Sequence, residues 1–231
     1  MINFRFMNTP KILLSLIIIF FSTIYSFSQD VDSIYGLNPI LYNGQLYTYY
    51  VPSSVSGNQY LHNKDFHAGI VNIKNTQFDN VLLNYDIYNQ EVVLLFELKQ
   101  RLLVIKLLKD KINNFLIGNE YFELIQDDQS DYIIYQVIGD GNYKILYRWQ
   151  KWLKLSTDKE SGGYLFTKPI KTTYLKINNE IFKYRNNRTF LSLMEDSKKQ
   201  QVKKYLKQNK INVRRASDNE LSELIKLCNS L

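Results

Sequence analysis

The side chains best able to do chemistry fall into a few small groups. The stretch Leu83 to Leu95, LNYDIYNQEVVLL, holds two carboxylates, Asp86 and Glu91, among tyrosines and aliphatics. Two carboxylates set diagonally on a hairpin, about 7 to 8 Å apart, have a spacing compatible with water-mediated glycoside hydrolysis. The segment HNKDFH gathers His62, Asp65 and His67, but zinc asks for three or four converging ligands, and the chain has only 2 histidines and 1 cysteine. No Gly-x-Ser-x-Gly occurs and the serines of PSSVSGN lack a neighbouring base, so nucleophilic catalysis is missing its parts. The GDGN of Gly139 to Asn142 has neither the lysine nor the following helix of a nucleotide loop. Cys228 falls on the apolar stripe of a predicted helix and reads as a small buried hydrophobe. These groups lead to no expected catalytic residue, metal ligand or cofactor.

The elements that would position these groups are mostly hairpins. From Leu46 to about Tyr184 the pattern has period two, is rich in Tyr, Ile, Val, Leu and Phe, and is punctuated by Asn, Asp and Gly turns. With Asn89-Gln90 as a two-residue turn, Ile87 faces Val92, Tyr85 faces Leu94 and Leu83 faces Phe96. The apolar pairs then share one face, while Asp86 and Glu91 turn to water. On that register Asp86→Asn and Glu91→Gln would change stability by no more than about 0.5 kcal/mol, whereas Tyr85→Ala would cost about 3 kcal/mol. Gly118-Asn119, Gly139 to Asn142 and Asn178-Asn179 each read as a turn joining two further strands. Loops at Pro52 to Phe66 and Ser156 to Gly163 interrupt the pattern and offer room for a site.

After Phe190 the period changes to about 3.6. Val202, Tyr205 and Leu206 mark one amphipathic helix, with Asp196 or Ser197 as its cap. Leu221, Leu224, Ile225 and Cys228 mark a second, opened by the capping box Ser217 to Glu220. Helices this short need a surface to dock on. The fold class is therefore α+β, mainly β: an antiparallel meander, as a curved sheet or half-barrel, followed by two short C-terminal helices. The expected divisions are a leader over residues 1–28, an antiparallel β domain over 29–190, and a basic two-helix tail over 191–231 docked on the sheet.

Arg5 and Lys11 precede the apolar run Ile12 to Tyr25, and Ser26 and Ser28 sit where a signal peptidase reads. The run has 14 residues and is broken by Ser15, Ser22 and Thr23, against about 20 needed to span hydrocarbon. A cleavable signal peptide ending at Ser28 is expected, giving a secreted or periplasmic protein that begins at Gln29 and has no transmembrane segment.

The segments YGLNPILYNGQLY, LNYDIYNQEVVL and FLIGNEYFELI, with a charged helical end closing in CNSL, resemble a widespread family of uncharacterised secreted bacterial envelope proteins. The resemblance covers about Tyr35 to Leu231. It implies an envelope location and a β-meander with charged C-terminal helices, and it carries no catalytic residue to this chain.

Two features point to binding. Tyr143, Tyr147 and Trp149 fall on one face of a strand with Ile145, and Trp152 falls on the other if the strand continues, a possible aromatic platform for a ligand. The formal charge is +7, and from Lys198 to Arg215 eight basic residues occur without one acid, among them Lys198, Lys199, Lys203 and Lys204. Secretion argues against nucleic acid. The favoured expectation is a non-enzymatic binding protein of the cell envelope contacting anionic surfaces, lipid or glycan. A carrier of an apolar ligand in a curved sheet, or an unrecognised hydrolase, stand as alternatives.

Overall fold

The structure, a computed structural model, describes residues 38–49, 51–52, 54–156 and 163–231. The expected leader and its cleavage site lie outside the described residues. The chain divides into two compact units, Met1–Tyr42 and Asn43–Leu231. In the first, the described residues make a turn in which the Leu41 and Tyr42 amides donate to Asn38 O.

In the second unit the described strands are β1 (Gln45–Leu46), β2 (Val55–Ser56), β3 (His67–Ile73), β4 (Thr76–Asp86), β5 (Glu91–Leu98), β6 (Arg101–Lys106), β7 (Ile112–Ile117), β8 (Glu120–Gln126), β9 (Tyr132–Ile138), β10 (Tyr143–Gln150), β11 (Leu153–Leu155), β12 (Tyr164–Phe166), β13 (Ile170–Ile177) and β14 (Glu180–Lys183). Three helices follow: α1 (Asn187–Ser192), α2 (Asp196–Gln208) and α3 (Asp218–Ser230). Eleven strands form one open antiparallel sheet in the order β1-β6-β5-β4-β3-β7-β8-β9-β10-β13-β14, and β11, β12 and β2 form a small second sheet. The mainly β, α+β class read from the period-two pattern is the class of the fold. The turns at Gly118-Asn119, Gly139 to Asn142 and Asn178-Asn179 join the strands they were expected to join.

Besides the pairing of β1 with β6 and of β10 with β13, the order departs from a simple succession where β7 returns to pair with β3 rather than with β6. Tyr85 of β4 meets Phe122 of β8 at 5.5 Å between ring centroids. Two strands, β3 and β7, lie between them in the sheet, and about 4.8 Å per strand would hold them roughly 14 Å apart if it were flat. The sheet is therefore strongly curled, and its concave side closes on these rings. Phe115 and Phe122 stack at 4.6 Å with Tyr85 edge-on to both. The two meanders meet closely at Gly69, where a Cβ would lie 2.3 Å from Leu116 O.

The helices cover another part of the sheet. Val202 and Leu206 of α2, with Leu221, Leu224, Ile225 and Cys228 of α3, pack with Ile145, Tyr147 and Leu175 in one buried cluster. The amphipathic stripes thus dock on the sheet, as their length demands. Ser217 closes the expected capping box with Glu220. The extra helix, α1, is opened by Asn186, whose side chain accepts from the Thr189 amide. Burial raises the Cys228 thiol to about 11, which suits a packing role.

Gly139 shows how tightly α3 is seated. It holds a φ of +81°, and a Cβ there would lie 2.5 Å from Cγ2 of Ile225. Gly139→Ala should cost about 2 kcal/mol through backbone strain and displacement of α3, read as a lower midpoint in urea unfolding.

Candidate functional site: a basic notch at the sheet edge

The register of the last hairpin builds the site. Tyr174 pairs with Lys183, and the Tyr184 amide donates to Thr173 O at 3.2 Å. Carrying that register one step on places Arg185 beside Thr172. The chain then leaves the sheet at the cap of α1, where the Arg185 amide donates to Thr189 Oγ1 at 2.9 Å. Strand β13 pairs with β10 along its whole length but with β14 only from Tyr174 onward. Its outer edge is therefore left open near Lys171.

The loop between α2 and α3 closes the opening. The Asn187 side chain accepts from the Val213 amide at 2.8 Å and donates to Ile211 O at 2.7 Å. Ile211 and Val213 are buried, and the Arg214 amide donates to Asn212 Oδ1. The loop is fixed at both ends before Arg214 reaches the opening. The resulting notch, about 340 Å³, is lined by Lys171, Thr172, Thr173, Lys183, Tyr184, Arg185 and Arg214. The four cations come from β13, β14, the step into α1 and the α2–α3 loop, and among the described residues no acid lines the space. None of the four makes an ion pair among the described residues. The Lys171 ammonium rests 4.0 Å above the Tyr147 ring and 5.8 Å from that of Trp149, attractions that leave its charge unneutralised. Beneath the Lys171 ammonium, Tyr147 Oη donates to Asp218 Oδ1 at 3.0 Å. Cations without an ion pair around a small cavity are suited to an anionic group, with Arg185 and Arg214 able to bind it through two donors each.

The basic run continues from this notch along α2, and its members differ. Lys198 donates to Cys228 O at 3.1 Å and lies over the Tyr143 ring, so it fastens α2 to the end of α3. Lys199 pairs with Asp196 at 3.4 Å. Lys203, Lys204, Lys207, Lys210 and Arg215 are exposed and have no ion pair among the described residues. Of the four lysines singled out from the sequence, Lys203 and Lys204 present free charge and the other two are engaged within the helices.

The aromatic residues singled out are dispersed. Tyr143 and Tyr147 are buried beneath the helices, 3% and 1% exposed. Trp149 is half-buried, donating from Nε1 to Gln136 Oε1 at 2.7 Å. Trp152 alone is well exposed, at 51%. The four do not come together as one platform, because α2 and α3 occupy the face that Tyr143, Ile145 and Tyr147 share.

The expectation for Asp86 is corrected. Asp86 pairs with Glu91, so the connection runs over the four residues from Ile87 to Gln90 rather than two. Both strands keep their faces, and Tyr85 is buried as expected. The opposite face, however, is covered rather than wet. Tyr60 bridges to Asp86, and Tyr47 donates its hydroxyl to Asp86 Oδ2. The Asp86 carboxylate also accepts from the Tyr88 and Asn89 amides at 2.9 and 2.7 Å and from Asn89 Nδ2 at 2.9 Å. It has no exposed surface. Burial raises its pKa, against the lowering effect of those hydrogen bonds. Sealed and fully engaged, it holds the turn together and cannot reach a substrate as an acid or base. Glu91 lies 3.7 Å from Lys106. Nearby, the buried Lys151 ammonium donates to Asn58 O and Tyr60 O, and burial lowers its pKa.

His62 and His67 turn to different partners, Glu120 at 2.6 Å and Asn63 at 3.4 Å. Among the described residues no helix is long and apolar enough to cross a membrane. In comparisons with known protein families, curated proteins and solved structures, none matches this chain.

Proposed function

We propose that this is a non-enzymatic binding protein of the cell envelope, secreted or periplasmic, that holds to an anionic component of that compartment through the notch and the free basic residues of α2. The resemblance to secreted envelope proteins supports the location. The observation that carries the reading is the convergence of Lys171, Lys183, Arg185 and Arg214 on one cavity that no acid lines among the described residues. Unpaired like charges repel one another, and a bound anion relieves that repulsion. Envelope lipids and acidic glycans both offer phosphate or carboxylate groups, the shared chemistry such a notch would recognise.

Co-sedimentation with anionic phospholipid vesicles and, separately, with cell-wall sacculi tests this reading and distinguishes the two sources. The double variant Lys183→Gln, Arg214→Gln should reduce binding about tenfold or more at low salt. Both side chains are exposed, so its fold should be unchanged. Equal binding by wild type and variant would refute the notch, and failure to bind either material would refute the function.

A further inference from the structure

On the strand that carries Tyr147 toward the helices, the next residue, Arg148, alternates to the other face of the sheet. Its Nε is buried and has no hydrogen-bond acceptor, and its guanidinium makes no ion pair among the described residues. A buried guanidinium nitrogen without an acceptor is costly, and native proteins seldom retain one without a bound partner or a role. Arg148 lines a pocket of about 600 Å³, well within the range of small-molecule sites. It shares no lining residue with the basic notch.

The pocket has a second pole. Asp110, Asp127 and Asp131 contribute to its wall, with Lys109 and Tyr132. Asp110 is held by Lys111 at 2.5 Å. Asp127 uses Oδ1 to accept from the Gln129 and Asp131 amides, which shapes the β8–β9 turn and leaves Oδ2. The Asp131 carboxylate makes no hydrogen bond or ion pair among the described residues. At the back, Gln90 is fixed: its amide donates to Ile87 O and Trp149 O, and it accepts from Tyr85 Oη. A simple anion would suit Arg148 but be repelled by the acids, and a simple cation would meet the reverse. A molecule carrying both charges satisfies both poles.

We propose that this pocket binds a small zwitterion of the amino-acid or dipeptide class, its carboxylate on Arg148 and its ammonium toward Asp127 and Asp131. The dipeptide alanyl-alanine is a direct probe, compared by calorimetry with alanyl-alanine amide, which lacks the carboxylate, and N-acetyl-alanyl-alanine, which lacks the ammonium. The free dipeptide should bind, and each blocked form should bind about tenfold or more weakly. Arg148→Met should abolish binding without lowering the melting temperature, because it removes a donor that has no acceptor in the unliganded protein. No binding of the free dipeptide, or equal binding of either blocked form, would overturn the proposal. A fall in melting temperature with dipeptide binding retained would also overturn it, by showing Arg148 to be structural.

Discussion

Tyr85→Ala should destabilise the protein by about 3 to 5 kcal/mol, the cost of removing a large buried ring from a close-packed core. Tyr85 is 1% exposed and lies edge-on to the stacked pair Phe115 and Phe122, so its removal opens a space on the axis about which the sheet curls. These rings come from β4, β7 and β8 and tie the two meanders together. Burial raises the Tyr85 phenol well above its ordinary value, and its hydroxyl donates to Gln90 Oε1 at 3.1 Å. Tyr85→Phe separates the two roles. It keeps the packing and loses one hydrogen bond, so it should cost only about 1 kcal/mol. Urea unfolding of both variants checks the pair, and equal losses would show that the hydroxyl, not the ring, sets the stability.

The second large effect is at Asp86. Asp86→Ala should cost about 3 kcal/mol, because Tyr47 Oη, two backbone amides and Asn89 Nδ2 lose their acceptor in a dry site. Asp86→Asn should cost less, about 1 kcal/mol, since its carbonyl oxygen still serves the two amides. The variants also differ in pH response. Burial raises the Asp86 pKa in the folded state, so between the ordinary carboxylate value and the raised one the folded protein binds a proton that the unfolded chain has released. Stability from this group is present at low pH and falls as pH rises through that window. Asp86→Asn should lack this fall. Urea midpoints measured from pH 4 to pH 8 on wild type and variant check the sign, and parallel curves would contradict it.

The parts of the fold legible from sequence are those governed by neighbours in the chain. Gly118-Asn119 and Asn178-Asn179 are two-residue turns whose geometry fixes register, so the strands beside them could be placed. At Asn89-Gln90 the same logic misplaced the register by two residues, because the Asp86 side chain accepts from the Tyr88 and Asn89 amides and supports a longer connection. The core face survived, since an even shift keeps each side chain on its own face. The burial of Asp86 was not legible, because Tyr47 and Tyr60 reach it from residues distant in the chain, a long-range contact that no local pattern encodes. Nor was the pairing of β3 with β7, a long-range choice that no local pattern encodes.

The same division runs through the candidate site. The charge of α2 stood out as a run, yet the run does not distinguish Lys203, which is free, from Lys198, which fastens α3. Lys171, Lys183 and Arg185 were missed because they are scattered over two strands and the residues just beyond the second. Extending the Asn178-Asn179 hairpin register would have brought them to one end of it. Arg214 could not be added from sequence, since its place depends on Asn187 fixing the loop. Helix α1, which supplies Asn187, was itself missed, being one short element whose capping partner is Thr189 rather than the usual Glu or Gln.

The most direct test is the salt dependence of binding to the envelope material that the protein sediments with. An electrostatic notch and a free basic face should give affinity that falls steeply as ionic strength rises from about 0.01 to 0.15 M, where the screening length shortens from roughly 30 to 8 Å. The Lys183→Gln, Arg214→Gln variant should start lower and fall less steeply. Affinity indifferent to salt, with wild type and variant on the same line, would contradict anionic recognition through this site.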